Sequence, residues 1–490
     1  MCRGVTLRGE GRLSAIPAIR SLIAHTRNRG APVTVTEQFA TREAVRRAPA
    51  TQATATDAAA RPRPAGPGPL AVLADEGLEV PVLGGRFVRH VNLDVAASAP
   101  ALEVVAQQVT RVLPYYASVH RGSGYPSQLS TSLVEDARLA VARHVGARDD
   151  DDLVVFTRNT TDALNLLAGA VPGDTVVLDL EHHANLLPWR SRRLVEGRAT
   201  IAATLDALDA ELARTPAALL SVTGASNVTG EVLPIDRLAE IAHARGARIA
   251  VDAAQLLPHR RVDVAASGID YLAFSGHKAY APFGAGALVG RSDWLDAAPA
   301  YLAGGGAVDA VRVDGVDWKH GVERHEAGTP NVIGAVALAR ALAELDRLGD
   351  DARHDHEQAL TRRLHEGLAA QQGVRVLSGF GDGFGDRLGI ATIELERGSV
   401  GLLAAALGAE HGISVRAGRF CAHPFFERTA TRANGLRASL GAGSSADDVD
   451  RFLDALATLI ADGPAHAYDR SPEGWCPRVD DRPRPDFALA

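Results

Sequence analysis

Between Leu153 and Val289 the chain keeps changing its hydrophobic period, and that alternation limits the folds open to it. Short apolar or β-branched runs at Leu153–Phe156, Thr175–Leu180, Ala218–Val222, Arg248–Val251, Tyr271–Phe274 and Gly286–Val289 are separated by helical stretches such as Thr161–Ala170 and Ile235–Arg245. Strands separated by helix-length crossovers pair in parallel, with helices covering the sheet, so the pattern predicts an α/β domain with a largely parallel sheet. In such sheets ligands bind beyond the carboxyl ends of the strands. The polar residues at those ends are therefore the place to look for chemistry.

Beyond Pro330 the pattern changes. An Ala/Leu-rich helical region runs through Leu348 and resumes over Glu357–Leu368, followed by a strand candidate at Ile390–Leu395, a helix at Val400–Ala409, a loop around Cys421 and a last helix at Asp447–Ile460. Ser445 with Asp448 three residues later marks the start of that helix. This part reads as a smaller α+β domain. Residues 1–70 are rich in Ala, Arg, Thr and Pro, which cannot build a packed core and read as a disordered tail; residues 465–490, rich in Pro and Asp, read as loosely held. No repeat of fixed period is present.

Composition excludes more than it assigns. With 46% apolar and 23% charged residues and a formal charge of -7, the chain reads as a globular protein with no basic face for nucleic acid. No apolar run reaches the roughly 18 residues needed to span a bilayer, so a membrane is not expected and the cytoplasm is the default location. Cys2, Cys421 and Cys476 stand far apart, which implies neither a disulfide framework nor a metal site and leaves any of them free to be a reactive thiol. His354, His356 and His365 recur on a charged helical stretch and read as a solvated face rather than metal ligands. Asp149–Asp152 reads as a solvated turn before a strand, and Gly381–Gly385 as a flexible loop.

Lysine is the most telling residue type. Of 52 Lys plus Arg, only Lys278 and Lys319 are lysine. Lys319, in the polar stretch Asp317-Trp318-Lys319-His320, reads as a surface lysine. Lys278 follows the apolar run Tyr271–Phe274 in Ser275-Gly276-His277-Lys278, at a strand end. An amine there can lose its proton and condense with an aldehyde, which a guanidinium cannot. Asp252, at the end of Arg248–Val251, could hold a protonated ring nitrogen by a charge-assisted hydrogen bond, although by itself it reads more readily as a helix cap. Asn159-Thr160-Thr161 opens a helix and would present N–H groups and hydroxyls to a phosphate, although taken alone a Thr there reads as an ordinary helix cap. Gly304-Gly-Gly306 carries no such signal alone. Phosphate cup, carboxylate and amine together match the three handles of pyridoxal phosphate.

The chain resembles the fold-type I pyridoxal-phosphate enzymes of the class V aminotransferase group, and among them the SufS-type cysteine desulfurases and selenocysteine lyases. The resemblance runs from about Val82 to Leu459 and rests on Asn92-Leu-Asp-Val-Ala-Ala97, Val119-His-Arg-Gly122, Phe156-Thr-Arg-Asn-Thr-Thr161, Glu181-His-His-Ala-Asn185 and Ser226-Asn-Val-Thr-Gly230. It continues through Val251-Asp-Ala-Ala-Gln255, Phe274-Ser-Gly-His-Lys278, Glu326-Ala-Gly-Thr-Pro330, Val415-Arg-Ala-Gly418 with Cys421, and Arg437-Ala-Ser439. It implies a large domain over 105–335 with a mainly parallel seven-stranded sheet, a small domain over 336–464, and an N-terminal segment, 71–104, joined to the small domain.

By that resemblance Lys278 joins the cofactor aldehyde and later moves the Cα proton, Asp252 holds the pyridine nitrogen, and His182 stacks on the ring. Gln255 meets the ring oxygen, while Thr160, Thr161, Ser275 and His277 hold the phosphate. Asn227 and Arg437 take the carboxylate of a small amino acid. Gly328 and Thr329 reach the phosphate of the neighbouring subunit, which implies a homodimer with shared active sites. His183 reads as structural. Cys421 would accept sulfur from cysteine, or selenium from selenocysteine, as a persulfide and leave alanine, with Arg416 and Arg419 favouring its thiolate; the alternative for a free cysteine is a small buried hydrophobe.

The pattern is broken at three places. Gly124 stands where the family has a second histidine, Arg419-Phe420 where it has a His-His pair, and Gly398-Ser399-Val400 lacks the His-bearing turn. These departures bear on acid/base help for sulfur transfer and on docking of a SufE- or SufU-like sulfur-acceptor protein. An aminotransferase, epimerase or β-lyase would share Lys278 and Asp252 without needing Cys421. A cofactor-binding regulator is the reading from a different class; the intact Lys278, Asp252 and Arg437 argue against it.

Overall fold

The computed structural model describes residues 65–381 and 385–488. Cys2, nearly all of the 1–70 tail and the centre of the Gly381–Gly385 loop lie outside the described residues. The main sheet has seven strands: β1 Asp152–Thr157, β2 Thr175–Leu178, β3 Arg192–Val195, β4 Leu219–Thr223, β5 Arg248–Asp252, β6 Tyr271–Ser275 and β7 Gly286–Arg291, in spatial order β1-β7-β6-β5-β4-β2-β3. The five strands from β6 to β3 are parallel, and β7 runs antiparallel to both of its neighbours. Every residue of β2, β4 and β6 is buried. That is the physical reason these strands show as unbroken apolar runs: helices cover both faces. Because β1 and β6 both oppose β7, the carboxyl ends of β1, β2, β4, β5 and β6 share one edge of the sheet.

The edge strand β3 and the helices Tyr125–His144 and Ile201–Arg214 have no counterpart in the sequence expectations. In β3, Arg-Arg-Leu-Val is largely exposed, so the residues look like surface loop until neighbouring β2 supplies a partner. The run Thr175–Leu180 stops as a strand at Leu178, and the Asp179 carboxylate just beyond it accepts from Arg428 at 2.5 Å and from the Gly197 N–H at 3.0 Å.

A second, antiparallel sheet contains β8 Val374–Val376, β9 Ile390–Leu395, β10 Arg416–Gly418 and β11 Gly435–Ser439, in spatial order β8-β9-β11-β10. Its core gathers Leu360 and Leu364 of the helix Asp350–Ala369, Leu403 and Leu407 of the helix Val400–His411, and Phe452 and Leu456 of the helix Ala446–Asp462. The last helix begins with a capping box: the Ser445 hydroxyl accepts from the Asp448 N–H while the Asp448 carboxylate accepts from the Ser445 N–H. The pair Val91–Asn92 runs parallel to Ile413–Ser414 and draws the N-terminal segment onto this part of the molecule.

Three composition-based expectations are corrected. Residues 465–488, expected to be loosely held, form a hairpin of Tyr468–Ser471 with Gly474–Pro477. The buried Glu410 fastens it, accepting from the N–H groups of Ala465 and His466 and from the Tyr468 hydroxyl. Of the helical histidines only His354 is solvated: His356 Nε2 bonds the carbonyls of Gly68 and Ser444, and His365 is buried, its imidazole pushed down to about 4 by desolvation. Asp152 is no part of a solvated turn; its side chain is buried in β1 against Arg148. Lys319 pairs with Glu323 at 2.6 Å. Among the described residues no helix is long and apolar enough to cross a membrane, and no group of His, Cys, Asp and Glu could hold a metal ion.

Candidate active site

The shared carboxyl edge of the main sheet opens into a cavity of about 490 Å³. At one end the helix Thr160–Ala170 starts directly after β1, with Asn159 as its cap accepting from the Asp162 N–H. The Thr160 N–H donates to Ser275 Oγ at 2.7 Å, and the two hydroxyls lie 2.6 Å apart, which locks this helix start to the end of β6. Close approach needs Gly286 on the intervening β7. A Cβ there would lie 2.6 Å from the Phe274 carbonyl and 2.9 Å from Asn159 Cα. The result is a helix N-terminus with the Thr161 hydroxyl beside it, facing the cavity, a geometry suited to a phosphate.

Further along the edge, Asp252 ends β5 and is fully buried, with one oxygen accepting from the Ala254 N–H at 2.9 Å. Burial pushes its carboxyl up, and the nearby Lys278 charge pulls it back. Burial likewise pushes the Lys278 amine down to about 8, against the pull of Asp252. Each group is the other's main charged neighbour in this wall, so a cationic ring nitrogen arriving here would meet a carboxylate short of partners. His182 Nδ1 accepts from the Ala184 N–H at 3.0 Å, which puts the ring proton on Nε2. Burial and the Lys278 charge hold this imidazole down to about 3, so the ring is neutral at physiological pH. His277 lines the cavity with Nδ1 3.3 Å from Ser98 Oγ, and Gln255 donates to the Ala96 carbonyl at 2.7 Å.

The opposite wall comes from the second sheet. Arg437 on β11 is 3% exposed; it donates from Nη1 to the Asn227 carbonyl at 2.9 Å, while its buried Nε has no acceptor. Desolvation lowers its guanidinium to about 10, still a cation at neutral pH. The Phe420 ring lies 4.9 Å from its carbon, a cation–π contact that fixes the fork. Cys421 follows, with Phe420 and Cys421 both left-handed at φ 49° and 55°. Non-glycine residues stay there only when neighbours enforce it. Here Asn227 Nδ2 donates to the Phe420 carbonyl at 2.7 Å and the His183 N–H to the Cys421 carbonyl at 2.8 Å. His183 also packs edge-on against His423, with centroids 4.6 Å apart. The thiol is exposed toward the cavity.

Thus Thr160, Thr161, His182, Asn227, Asp252, Gln255, Ser275, His277, Lys278, Cys421 and Arg437 line one cavity, although the chain separates the first from the last by 277 positions. Gly328 and Thr329 do not join them. They sit exposed on a loop whose Gly328 N–H donates to the Gly305 carbonyl at 2.8 Å. Sequence reasoning missed Asp94, which touches both Arg416 and Arg437, and His423 in the cavity wall. It also gave no role to Glu181, fully buried and pushed up to about 8, whose oxygens accept from Asn185 Nδ2 and the Thr223 N–H. Nothing in spacing could have flagged Asp94, which lies 322 positions from Arg416.

Known proteins share this architecture. The chain is 36% identical to a cysteine desulfurase of Dickeya dadantii over 382 residues, covering 74% of this chain and 90% of that protein. It is 35% identical to a cysteine desulfurase of Haloferax volcanii, covering 75% of this chain and 88% of that one. Among solved structures, the cysteine desulfurase CsdA of Escherichia coli superposes with a TM-score of 0.68 at 31% identity, over 76% of this chain and 95% of its own. The apo cysteine desulfurase of Thermococcus onnurineus gives 0.70 at 31% identity, over 76% and 95%. The profile of the aminotransferase class-V family matches residues 91–452, a span that takes in both walls of the cavity, and the chain belongs to that family.

Proposed function

We propose that this chain is a pyridoxal-phosphate-dependent cysteine desulfurase, moving sulfur from L-cysteine, or selenium from selenocysteine, onto Cys421 and releasing alanine. The observation that carries the reading is the meeting of Lys278, Asp252, Arg437 and Cys421 in one cavity. The residues fit the cofactor on three counts: a helix N-terminus lined by the Thr160, Thr161 and Ser275 hydroxyls for its phosphate, a buried carboxylate for its ring nitrogen, and an amine held down to about 8 for its aldehyde. Thr160, Thr161, Ser275 and His277 would hold the phosphate, Asp252 the ring nitrogen, Gln255 the ring oxygen, and the neutral His182 the ring face. Bound there, pyridoxal phosphate supplies an electron sink that makes the substrate Cα–H acidic and lets the Cβ–S bond break.

The chain's own groups divide the remaining work. Arg437 orients the amino acid through its Nε and Nη2 edge, helped by Asn227. Lys278, its amine held down to about 8, takes the proton from Cα and returns it. Cys421 attacks the substrate sulfur: the C–S bond breaks, an S–S bond forms, and the protons of the two thiols and of Cα suffice for alanine and a Cys421 persulfide without external reductant. The left-handed backbone of Phe420 and Cys421, tied down by Asn227 and His183, fixes where that thiol can go. A thiol of a sulfur-acceptor protein would then remove the sulfur.

Gly328 and Thr329, exposed and outside the cavity, support a homodimer in which each subunit completes its partner's phosphate site. Exposed apolar residues nearby, Leu302, Val311 and Val313, fit such an interface. The large domain of this reading is 105–335, and the small domain is 336–464 with the N-terminal segment 71–104 joined to it. Cys421 and Cys476 as free thiols fit a reducing cytoplasm. The test is incubation of purified protein with L-cysteine, counting alanine and persulfide in wild type and in Cys421→Ala. Normal alanine formation by Cys421→Ala would transfer the assignment to a lyase or aminotransferase of the same family.

A further inference from the structure

Arg416 on β10 and Arg437 on β11 stand directly opposite each other in the ladder, and both line the cavity. Like charges in that register repel. Asp94 lies between them, and the backbone puts it there: the Leu93 N–H donates to the Ser414 carbonyl at 2.9 Å, and the Ser439 N–H donates to the Leu93 carbonyl at 2.7 Å. Residue 94 thus emerges between the two strands that carry the arginines.

Asp94 does not treat them alike. Arg416 donates to both of its oxygens, from Nε at 3.1 Å to each and from Nη2 at 2.8 Å. Arg437 makes a single contact of 3.3 Å from Nη2. Arg416 is therefore held as a two-pronged pair on a half-exposed side chain, while Arg437 keeps its buried Nε without an acceptor and its Nη2 weakly engaged. The open Nε and Nη2 edge of Arg437 matches a carboxylate, and the same edge of Arg416 is taken.

We propose that Asp94 is a specificity-determining residue: by holding Arg416 it leaves Arg437 as the guanidinium of this pair open to an amino acid's α-carboxylate, and it denies a second guanidinium to amino acids with an anionic side chain. The inference rests on the reading of Arg437 as the carboxylate partner. Discrimination of this kind works by sequestering an attractive group and leaving a repulsive one in its place.

The test uses cofactor-loaded protein titrated with L-alanine and with L-aspartate, reading dissociation constants from the change in visible absorbance at equilibrium rather than from turnover. In Asp94→Asn, aspartate should bind about tenfold tighter while alanine changes by less than about threefold. The double variant Asp94→Asn with Arg416→Gln should lose that gain, since freed Arg416 is its source. Unchanged aspartate affinity in Asp94→Asn, or a gain that survives in the double variant, overturns the proposal. Should Asp94→Asn fail to fold, Arg416→Gln alone decides: alanine affinity within about threefold of wild type supports sequestration, and a loss of about tenfold makes Arg416 a carboxylate ligand and ends it. A wild-type protein blind to alanine, or an Arg437→Gln variant that binds alanine normally, instead sinks the reading of Arg437 on which this rests.

Discussion

The two walls of the cavity are built on different principles. The sheet wall, with Thr160, Asp252, Ser275 and Lys278, is made of strand ends and the segments that follow them, held by the parallel ladder and by the burial of Thr160, Asp252 and Ser275. The facing wall, with Arg416, Phe420, Cys421 and Arg437, combines two adjacent strands, a left-handed turn and ion pairs reaching back to Asp94. The first wall presents an anion cup, a carboxylate and an amine whatever amino acid arrives. The second presents the groups that would distinguish one amino acid from another and receive its sulfur. On the proposed function, scaffold and selectivity are divided between a sheet edge and a wall held by side chains, which is where change costs least.

Substitutions should break the walls differently. The largest effect is expected from Lys278→Ala: turnover of L-cysteine to alanine, measured by amino-acid analysis, should fall by about 10⁴-fold or more, because the one lysine among the described residues lining the cavity is gone. Cys421→Ala removes the proposed sulfur acceptor alone. Alanine formation should drop by about 10²-fold or more while visible absorbance of the loaded protein stays intact, a split that Lys278→Ala cannot show. In Arg437→Gln the KM for cysteine should rise by about 10²-fold, the loss of a charge-assisted two-pronged bond, with kcat changed far less. A kcat loss without a KM change would move Arg437 out of substrate binding.

Effects on the sheet wall's fine structure are smaller. Ser275→Ala strands the buried Thr160 N–H and hydroxyl, and cofactor retention on dialysis against phosphate should weaken by about tenfold. The smallest effect concerns protonation. With the Lys278 amine held down to about 8, the neutral fraction and hence the rate at which apoprotein takes up pyridoxal phosphate should rise about fivefold from pH 7 to pH 8 and level off above about 9. The sign follows from burial, which disfavours the ammonium and so makes the free amine available at lower pH. A rate still climbing tenfold per unit beyond pH 9 would mean that this amine keeps its ordinary value.

The sheet wall was legible in the sequence, since its strands are unbroken apolar runs and its reactive residues sit at their ends, where Asp252 and Ser275 to Lys278 follow directly on Val251 and Phe274. The facing wall was legible only through resemblance. Cys421 and Arg437 carry no local signal that brings them to Lys278, and Asp94 gave no sign of standing between two arginines. The hairpin at 468–477 escaped for a similar reason: its Pro- and Asp-rich surroundings hide a partnership with Glu410, some 58 positions away.

By itself the sequence determined the apolar runs of six of the seven strands of the main sheet and the lysine that follows one of them, because burial and backbone geometry act over a few neighbouring residues. Only the tertiary structure decided that Arg416 and Arg437 lie side by side with Asp94 between them, that Phe420 and Cys421 turn left-handed, and that Gly328 and Thr329 stay outside the cavity. The placing of Asp94 and of the Phe420–Cys421 turn depends on hydrogen bonds between segments far apart in the chain, and no local pattern encodes a contact whose energy is realised only after both sheets have formed.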